Sequence, residues 1–507
     1  MNPLARRFLA AAAAVVVAVS LAGCVAPPAV SHTSTPTGEA ADAALQPFYG
    51  QSLVWSDCGG GMQCTTATVP LDYRTPGDGE IELALVRHPA TGDRIGSLLV
   101  NPGGPGGSGY DFVKDSLDFA VSPTLKERFD VVGFDPRGVG RSTPVTCYDP
   151  AGMDEYLFGI VPGARGSDPW IAAKTEKATA FAQSCDDGTG RLLDNVDTES
   201  AARDLDVLRA ALGDETLNYL GYSYGTYLGA VYADLFPQKA GRLVLDGALD
   251  PTASNAEVST EQARGFESAL RAYLADCLAG SDCPFAGSVD DGMQTVKALL
   301  ASVDARPIRG SDGRMLGGDT LSMAIIYPLY SPEGWPALST MFDSVMSGSA
   351  DQALFFADQY YGRQEDGSYA DNSTESFMAV NCMDYSYDAD PAVMAEQQAQ
   401  MTAAAPVIGP YFGYGDISCA VWPYTTRADR DEIHAAGSPP IVVVGTTNDP
   451  ATPYVWAQSL AKQLDDGRLV TYTGEGHTAY NKSNACVNGA VDTFLTTGKA
   501  PDTDPQC

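Results

Sequence analysis

A serine between two glycines is the candidate nucleophile of this chain. Residues 218–229 read Asn-Tyr-Leu-Gly-Tyr-Ser-Tyr-Gly-Thr-Tyr-Leu-Gly, which predicts a short apolar strand, a Gly-x-Ser-x-Gly turn and a helix. Glycine at positions 221 and 225 removes the Cβ atoms that would collide in so sharp a turn. The N-terminus of the helix favours negative charge beside the serine. The pattern therefore predicts that the turn exposes the hydroxyl of Ser223.

A serine hydroxyl needs a base to take its proton, and we identify that base by elimination. The chain contains four histidines. His32 lies in a Pro/Ser/Thr-rich segment, and His88 and His434 are expected to be solvated. His477 alone follows a late predicted strand, in a Gly-Glu-Gly-His loop. We therefore predict His477 as the general base.

The acid that orients the histidine has three candidates. Asp449 leaves a predicted strand into a loop stiffened by Pro450 and Pro453. Asp246 and Asp250 follow the preceding strand and remain alternatives. The order serine, acid, histidine along the chain is typical of α/β folds with a serine elbow. We favour Asp449.

A glycine-rich loop predicts the donors of an oxyanion hole. Residues 101–109 read Asn-Pro-Gly-Gly-Pro-Gly-Gly-Ser-Gly after a buried strand at 96–100. Such a loop can bring backbone N–H groups against a ligand. The Gly-Lys-Ser/Thr ending of a phosphate-binding P-loop is absent from it. We predict that the N–H groups of Gly104 and Tyr224 stabilise the oxyanion.

The alternation of strands and helices predicts the elements that position these groups. Further buried strands are expected at 129–134, 242–246 and 440–445, and amphipathic helices at 198–212 and 454–464. This alternation favours a mostly parallel sheet with reactive groups at the carboxyl ends of its strands. Residues 143–195 are expected to be an irregular insertion over the sheet edge.

The predicted organisation has five segments. They are a signal peptide (1–23), a flexible tether (24–47), the first part of the core (48–250), a mainly helical lid (251–437) and the C-terminal part of the core (438–507).

The N-terminus predicts export and lipid anchoring. Arg6 and Arg7 precede an apolar stretch, and Leu21-Ala22-Gly23-Cys24 matches the cleavage site of a bacterial lipoprotein. Cys24 is then the acylated mature N-terminus; an ordinary secretory signal is the alternative. The expected location is extracytoplasmic, on the cell membrane through the lipid or secreted. No other run of 18 or more apolar residues predicts a second membrane span.

The ten cysteines beyond Cys24 predict disulfides, since an exported chain with an even number usually forms them. Spacing cannot fix their connectivity, and pairing of sequence neighbours is our hypothesis: 58–64, 147–185, 277–283, 382–419 and 486–507. The formal charge of −33 argues against nucleic acids and anionic membrane surfaces as partners.

Taken together, the motifs resemble those of the secreted tripeptidyl aminopeptidases, α/β-hydrolase serine peptidases related to proline iminopeptidases. The resemblance rests on Asn-Pro-Gly-Gly-Pro-Gly at 101–106, Asp-Pro-Arg-Gly-Val-Gly-Arg-Ser at 135–142, the Ser223 elbow, Asp449 and Gly-His at 476–477. It implies an α/β-hydrolase fold with a helical lid. It also implies a Ser223–His477–Asp449 triad and the release of short peptides, expected to be tripeptides, from free N-termini.

An exopeptidase must also bind the ammonium group of its substrate. Asp384 in the lid is the candidate partner, and a solvated aspartate beside a disulfide is the alternative. We expect an acyl-enzyme mechanism with no metal or cofactor. Two other functions remain open: a carboxylesterase or lipase with the same triad, and a lipoprotein that binds peptides without turnover.

Overall fold

A large mixed sheet forms the centre of the protein. The computed structural model describes residues 32–427 and 430–507, so the predicted signal peptide (1–23) and Cys24 lie outside the described residues. Its strands are β1 (His32–Thr33), β2 (Val54–Gly59), β3 (Met62–Pro70), β4 (Glu80–His88), β5 (Gly96–Asn101), β6 (Phe129–Phe134), β7 (Leu217–Tyr222), β8 (Ala240–Asp246), β9 (Ile308–Arg309), β10 (Met315–Leu316), β11 (Ile441–Asn448) and β12 (Gly467–Glu475).

Ten of these strands share one sheet, in the order β1-β2-β3-β4-β6-β5-β7-β8-β11-β12. Strands β1 to β4 pair antiparallel, β4 is antiparallel to β6, and all pairs from β6 to β12 are parallel. Every residue of β5 and β6 is buried, as expected for parallel strands that helices cover on both faces. The predicted α/β-hydrolase fold is confirmed.

Helices cover the sheet and fill the long connection between β8 and β11. They are α1 (Gln46–Tyr49), α2 (Gly109–Ala120), α3 (Pro123–Arg128), α4 (Pro150–Phe158), α5 (Asp168–Thr189), α6 (Thr198–Leu212), α7 (Tyr224–Leu235), α8 (Asn255–Ala279), α9 (Val289–Ala305), α10 (Gly318–Leu329), α11 (Trp335–Met346), α12 (Asp351–Tyr361), α13 (Ser373–Asp384), α14 (Pro391–Ala404), α15 (Asp416–Ala420), α16 (Tyr454–Gln463) and α17 (Ala485–Thr497). Within the described ranges, none of the helices combines the length and the apolar character that a bilayer span requires.

The helices α8 to α12 supply most of a second hydrophobic core, which also includes Phe158 of α4 and Ala451. Leu270, Ile325 and Phe342 have no exposed surface there. The core beneath the sheet is a different cluster, which includes Leu205, Leu228 and other side chains of α6 and α7. On this basis we propose that residues 251–437 are a lid inserted between core segments 48–250 and 438–507.

Residues 143–195 contain two α-helices, α4 and α5, so the expectation of an irregular insertion is wrong. Helix α5 has a proline in its first turn and contains five alanines, which favour helices. Its apolar residues form no continuous stripe, and hydrophobic periodicity therefore does not reveal it.

The segment predicted as the end of a flexible tether binds to the core instead. Ser34 donates to Ala211 O at 2.7 Å, and Thr37 N–H donates to Ala210 O at 3.0 Å. The carboxylate of Glu39 contacts Arg209 at 2.6 Å and Lys239 at 2.5 Å. The Arg209 side chain is fully buried, and it recruits a carboxylate that is distant in sequence and that composition cannot identify.

The hypothesis of neighbour pairing among the cysteines is confirmed. Five disulfides join residues 58–64, 147–185, 277–283, 382–419 and 486–507. The Cys382–Cys419 bond fastens α13 to α15 in the helical region.

Two arginines of the 135–142 loop make ion pairs in opposite environments. Arg137 is fully buried and contacts both carboxylate oxygens of Asp204, at 2.6 and 2.8 Å. Arg141 contacts Asp111 at 2.6 Å, with about half of its side chain exposed. Neither arginine lines the cavity at Ser223, which agrees with a structural role.

These two pairs give a matched prediction for stability. Arg137→Met leaves the buried Asp204 carboxylate without a compensating charge, with the Tyr73 hydroxyl still donating to it at 2.8 Å, and we expect the free energy of unfolding to fall by about 3–5 kcal/mol. Arg141→Met removes an exposed pair and should cost less than about 1 kcal/mol. Urea unfolding measures both variants, and equal losses would contradict this assignment.

Candidate active site

Ser223 lies in a strained turn between β7 and α7. Its φ of 54° and ψ of −125° are rare for a residue with a side chain. Three hydrogen bonds maintain this conformation. Ser223 N–H donates to Asp246 O at 2.9 Å, and the N–H and hydroxyl of Thr226 donate to Ser223 O at 2.8 and 2.6 Å.

The two glycines of the turn are required by close backbone approaches. A Cβ at Gly221 would lie 2.3 Å from Gly225 O, and one at Gly225 would lie 2.7 Å from Asn101 Oδ1. Both distances are shorter than van der Waals contact allows. The glycine-rich loop therefore packs directly against the elbow.

The glycine-rich loop that carries Gly104, one of the two predicted oxyanion donors, packs against the serine elbow. A Cβ at Gly103 would lie 2.8 Å from Ser223 Cβ and 3.1 Å from Tyr224 N, so the loop touches the elbow here. Asn101 Oδ1 accepts the Gly103 N–H at 2.9 Å, whereas the Gly104 N–H has no hydrogen-bond partner in the described ranges. The Tyr224 N–H is at the first position of α7, where a helix offers no acceptor.

His477 is hydrogen-bonded to Asp449. Its Nδ1 lies 2.9 Å from Oδ1 and 3.0 Å from Oδ2 of the carboxylate. Burial would raise the pKa of Asp449, but the His477 charge and hydrogen bonds from His477 and two backbone amides hold that pKa below its usual value. An ionised carboxylate on Nδ1 leaves Nε2 available as a base.

The two alternative acids have other partners. Asp246 accepts the N–H groups of Ala479 and Tyr480, at 3.0 and 2.8 Å. Asp250 accepts hydrogen bonds from Thr252 and Gln463. Of the three aspartates, only Asp449 is hydrogen-bonded to the imidazole.

The end of β8 links Ser223 to His477. The carbonyl of Asp246 accepts the Ser223 N–H, and the next residue, Gly247, donates to Val444 O at 3.0 Å. A Cβ at Gly247, whose φ is +71°, would lie 3.3 Å from His477 Cε1. The serine elbow and the histidine therefore flank the same two residues.

The other three histidines lie elsewhere. His32 is exposed in β1, and His434 is exposed and contacts Gln463 O. His88 is half-buried, not solvated as expected, and its Nδ1 has no partner in the described ranges. Burial and the Lys126 charge lower its pKa.

Two contacts of His477 come from residues that sequence reasoning did not identify. Thr452 Oγ1 lies 3.0 Å from Asp449 Oδ2 and 3.2 Å from His477 Nδ1. Tyr330 O, at the end of α10, accepts the His477 N–H at 2.8 Å, and its ring packs edge-on at 5.5 Å from the imidazole. Thr452 could have been found, because an aspartate commonly bonds to residues two or three positions ahead. No sequence signal marks Tyr330.

A cavity of about 260 Å³ opens beside Ser223, and we call it the Ser223 cavity. Its wall includes Gly104, Tyr224, Asp384, Tyr385 and Arg430. The predicted ammonium partner, Asp384, is therefore at the site, but it is only 2% exposed. Its carboxylate accepts the N–H and hydroxyl of Thr198, at 2.9 and 2.6 Å, and burial raises its pKa to about 7.

Comparison with known proteins gives similarities along the whole chain. The family described as TAP-like protein matches residues 405–507. Serine protease Hip1 of Mycobacterium tuberculosis is 36% identical, over 100% of this chain and 98% of that protein. Tripeptidyl aminopeptidase of Streptomyces lividans is 32% identical, over 98% and 96%. Carboxylesterase B of Mycobacterium tuberculosis is 37% identical, over 88% and 86%.

The buried carboxyl of Asp246 predicts a pH-dependent stability. Burial raises its pKa to about 6, so the folded chain retains a proton that the unfolded chain releases near pH 4. The contribution of this proton to the free energy of unfolding is fully present below about pH 4 and is lost as the pH rises through about 6. Asp246→Asn keeps a carbonyl acceptor and does not titrate.

We expect the wild-type free energy of unfolding to fall by about 3 kcal/mol relative to Asp246→Asn between pH 4 and 6.5. Urea unfolding at a series of pH values measures the difference. A constant difference between the two proteins would contradict the prediction.

Proposed function

Because the chain belongs to the tripeptidyl aminopeptidase family of α/β-hydrolase serine peptidases, we propose that it releases short peptides, expected to be tripeptides, from free N-termini. The observation that carries the proposal is the hydrogen-bonded Asp449–His477 pair beside a serine held at φ 54°. The α/β-hydrolase fold alone would not distinguish one hydrolytic activity from another.

In the acylation step, Ser223 Oγ attacks the carbonyl carbon of the scissile peptide bond. His477 Nε2 takes the hydroxyl proton, and Asp449 stabilises the resulting imidazolium. The negative oxygen of the tetrahedral intermediate accepts the N–H groups of Gly104 and Tyr224. The C–N bond then breaks, and His477 gives its proton to the leaving amine.

Deacylation repeats these steps with water. His477 takes a proton from a water molecule, whose oxygen attacks the ester carbon of the acyl-enzyme. The C–O bond to Ser223 breaks, and His477 returns the proton to the serine oxygen. The products are a short peptide and the shortened substrate. The chemistry assigned here requires only these side chains and backbone amides.

The size and walls of the Ser223 cavity support cleavage near a chain end. Its volume of about 260 Å³ is below the range of about 300–1,000 Å³ that holds drug-sized ligands, so it accommodates only a short segment of peptide. Residues of α8, α13 and α15 line it opposite the elbow. In this proposal, the ionised Asp384 binds the ammonium group of the substrate.

The five disulfides support an extracytoplasmic location, because such bonds persist in oxidising compartments. We propose that the chain is exported and anchored through acylated Cys24. Its substrates are then peptides or proteins outside the cytoplasm.

Covalent labelling and peptide hydrolysis test the proposed triad. We expect a fluorophosphonate to label the wild type and to leave Ser223→Ala unlabelled, because the reagent needs the activated hydroxyl. Asp449→Asn should lower kcat by a factor of about 10⁴, through loss of the correct histidine tautomer. Asp250→Asn is the matched control, because Asp250 does not contact His477, and it should retain its activity.

Mass spectrometry of a defined peptide digest identifies the length of the fragments released. The esterase alternative has a specific basis in the relative named carboxylesterase B. Cleavage of acyl esters without cleavage of aminoacyl amides would favour it over the peptidase. An unlabelled wild type would favour a peptide-binding protein without turnover.

The role of Asp384 gives a separate prediction. Asp384→Asn should raise KM at least about tenfold for peptides with a free N-terminus, through loss of a charged hydrogen bond, with a smaller effect on kcat. Because burial raises the pKa of Asp384 to about 7, wild-type KM for these peptides should fall as the pH rises through 7.

Glu375→Gln is the matched control. Glu375 lies on the same helix and its pKa is also raised to about 7 by burial, but it does not line the Ser223 cavity. An equal rise in KM in Asp384→Asn and Glu375→Gln would exclude Asp384 as the partner of the substrate ammonium group. So would an equal rise in the KM of Asp384→Asn for a small ester without an ammonium group.

A further inference from the structure

A second cavity, whose lining does not include Ser223, lies between α4, α5 and the start of α10. It has a volume of about 220 Å³, and its wall includes Tyr156, Arg165, Trp170, Lys174 and Lys177. We call it the Lys177 cavity. The Ser223 cavity and the Lys177 cavity have Ser418 of α15 in common, so the two are neighbours but have different linings.

Two lysines of this cavity lack carboxylate partners. Lys174 and Lys177 are three positions apart on α5, and in the described ranges neither ammonium lies within 4 Å of a carboxylate oxygen. Lys177 Nζ donates to Gly159 O at 3.2 Å, and this bond uses one of its three donors. Unpaired lysines are unexpected in a chain with 64 acidic and 31 basic residues, especially where they are half-buried.

The third cation of the cavity is already paired. Arg165 contacts Asp319 at 2.6 Å and Asp304 at 3.4 Å. Its Nε is buried and has no hydrogen-bond partner in the described ranges. The lining therefore carries three formal positive charges against two negative ones. Asp319 and Glu155, which lies outside the lining, offset part of the Lys177 charge without pairing with it.

The remaining walls of the cavity complement an anion with an apolar body. Gly317 and Gly318 begin α10 in the wall, and no side chain caps this 12-residue helix, so its first N–H groups add positive potential. Lys174 Nζ lies 5.6 Å from the centre of the Trp170 ring, and Lys177 Nζ lies 5.8 Å from that of Tyr156.

We propose that the Lys177 cavity binds a small organic carboxylate, with its charged group between Lys174 and Lys177 and its apolar body against Trp170 and Tyr156. A bound carboxylate supplies the acceptors that the two ammonium groups lack. Burial and the Lys174 charge lower the pKa of Lys177 to about 8, and an anion would relieve both effects. The volume limits the ligand to a molecule smaller than a typical drug.

Calorimetric titration of phenylacetate into the full chain tests this site, with phenylacetamide as the neutral probe of the same shape. We expect saturable binding of phenylacetate with a Kd of about 1 mM or below. Phenylacetamide should bind at least about tenfold more weakly. Lys174→Met and Lys177→Met should each weaken phenylacetate binding by at least about tenfold, and Lys177→Arg should retain it. Lys297→Met removes an exposed lysine of α9 and should change nothing.

The titration is repeated with Ser223→Ala, so that the result does not depend on the proposed peptidase activity. Unchanged binding in this variant shows that phenylacetate binding does not depend on the Ser223 hydroxyl, and the lysine variants then locate it in the Lys177 cavity. Lack of saturation, equal binding of the two probes, binding in Lys177→Met equal to wild type, or loss of binding in Ser223→Ala would each overturn the proposal. Circular dichroism identifies any variant that fails to fold. If Lys177→Met fails, weaker binding in Lys174→Met together with retained binding in Lys177→Arg supports the proposal, and any other result overturns it.

Discussion

One buried aspartate at the end of β8 connects the segments on which the proposed chemistry depends. The carbonyl of Asp246 accepts the Ser223 N–H, and its carboxylate accepts the N–H groups of Ala479 and Tyr480, directly after His477. The adjacent Gly247 donates to Val444 on β11, the strand that leads to Asp449. A buried N–H without a partner costs about 1–3 kcal/mol, so each of these bonds resists displacement. The proposed nucleophile, base and acid are thus positioned relative to one residue.

The helical region is part of this positioning system as well as a cover. Tyr330 accepts the His477 N–H and packs its ring against the imidazole. Helix α8 passes so close to the loop that carries Asp449 that a Cβ at Gly265 would lie 2.4 Å from Pro450 O. A helical region that contacts the loops of His477 and Asp449 restricts the movement of these loops relative to the elbow. Displacement of this region would therefore change the geometry of the histidine as well as access to the serine.

Residue patterns predicted those parts of the fold that depend on local chemistry. Strands β5, β6, β8 and β11 are apolar runs bounded by turn residues, and such runs are characteristic of parallel strands buried on both faces. Helix α5 was not predicted, because alanine-rich segments without an apolar stripe form helices through propensity, which hydrophobic periodicity does not measure. The attachment of residues 34–39 to the core was not predicted, because the partners of these residues on α6 are distant in sequence.

The amino-acid sequence was enough to identify the serine elbow, its two glycines and the order of the three candidate catalytic residues. The elbow and its glycines follow from steric limits within a few residues, which any fold must obey, and the order of the three residues is read directly along the chain. The folded chain was needed to show which of three aspartates bonds to His477, that Thr198 donates hydrogen bonds to the carboxylate of Asp384, and that Tyr330 and Thr452 contact the histidine. Those contacts join distant segments, and burial, which sets the pKa of Asp246 and Asp384, exists only once the chain has folded.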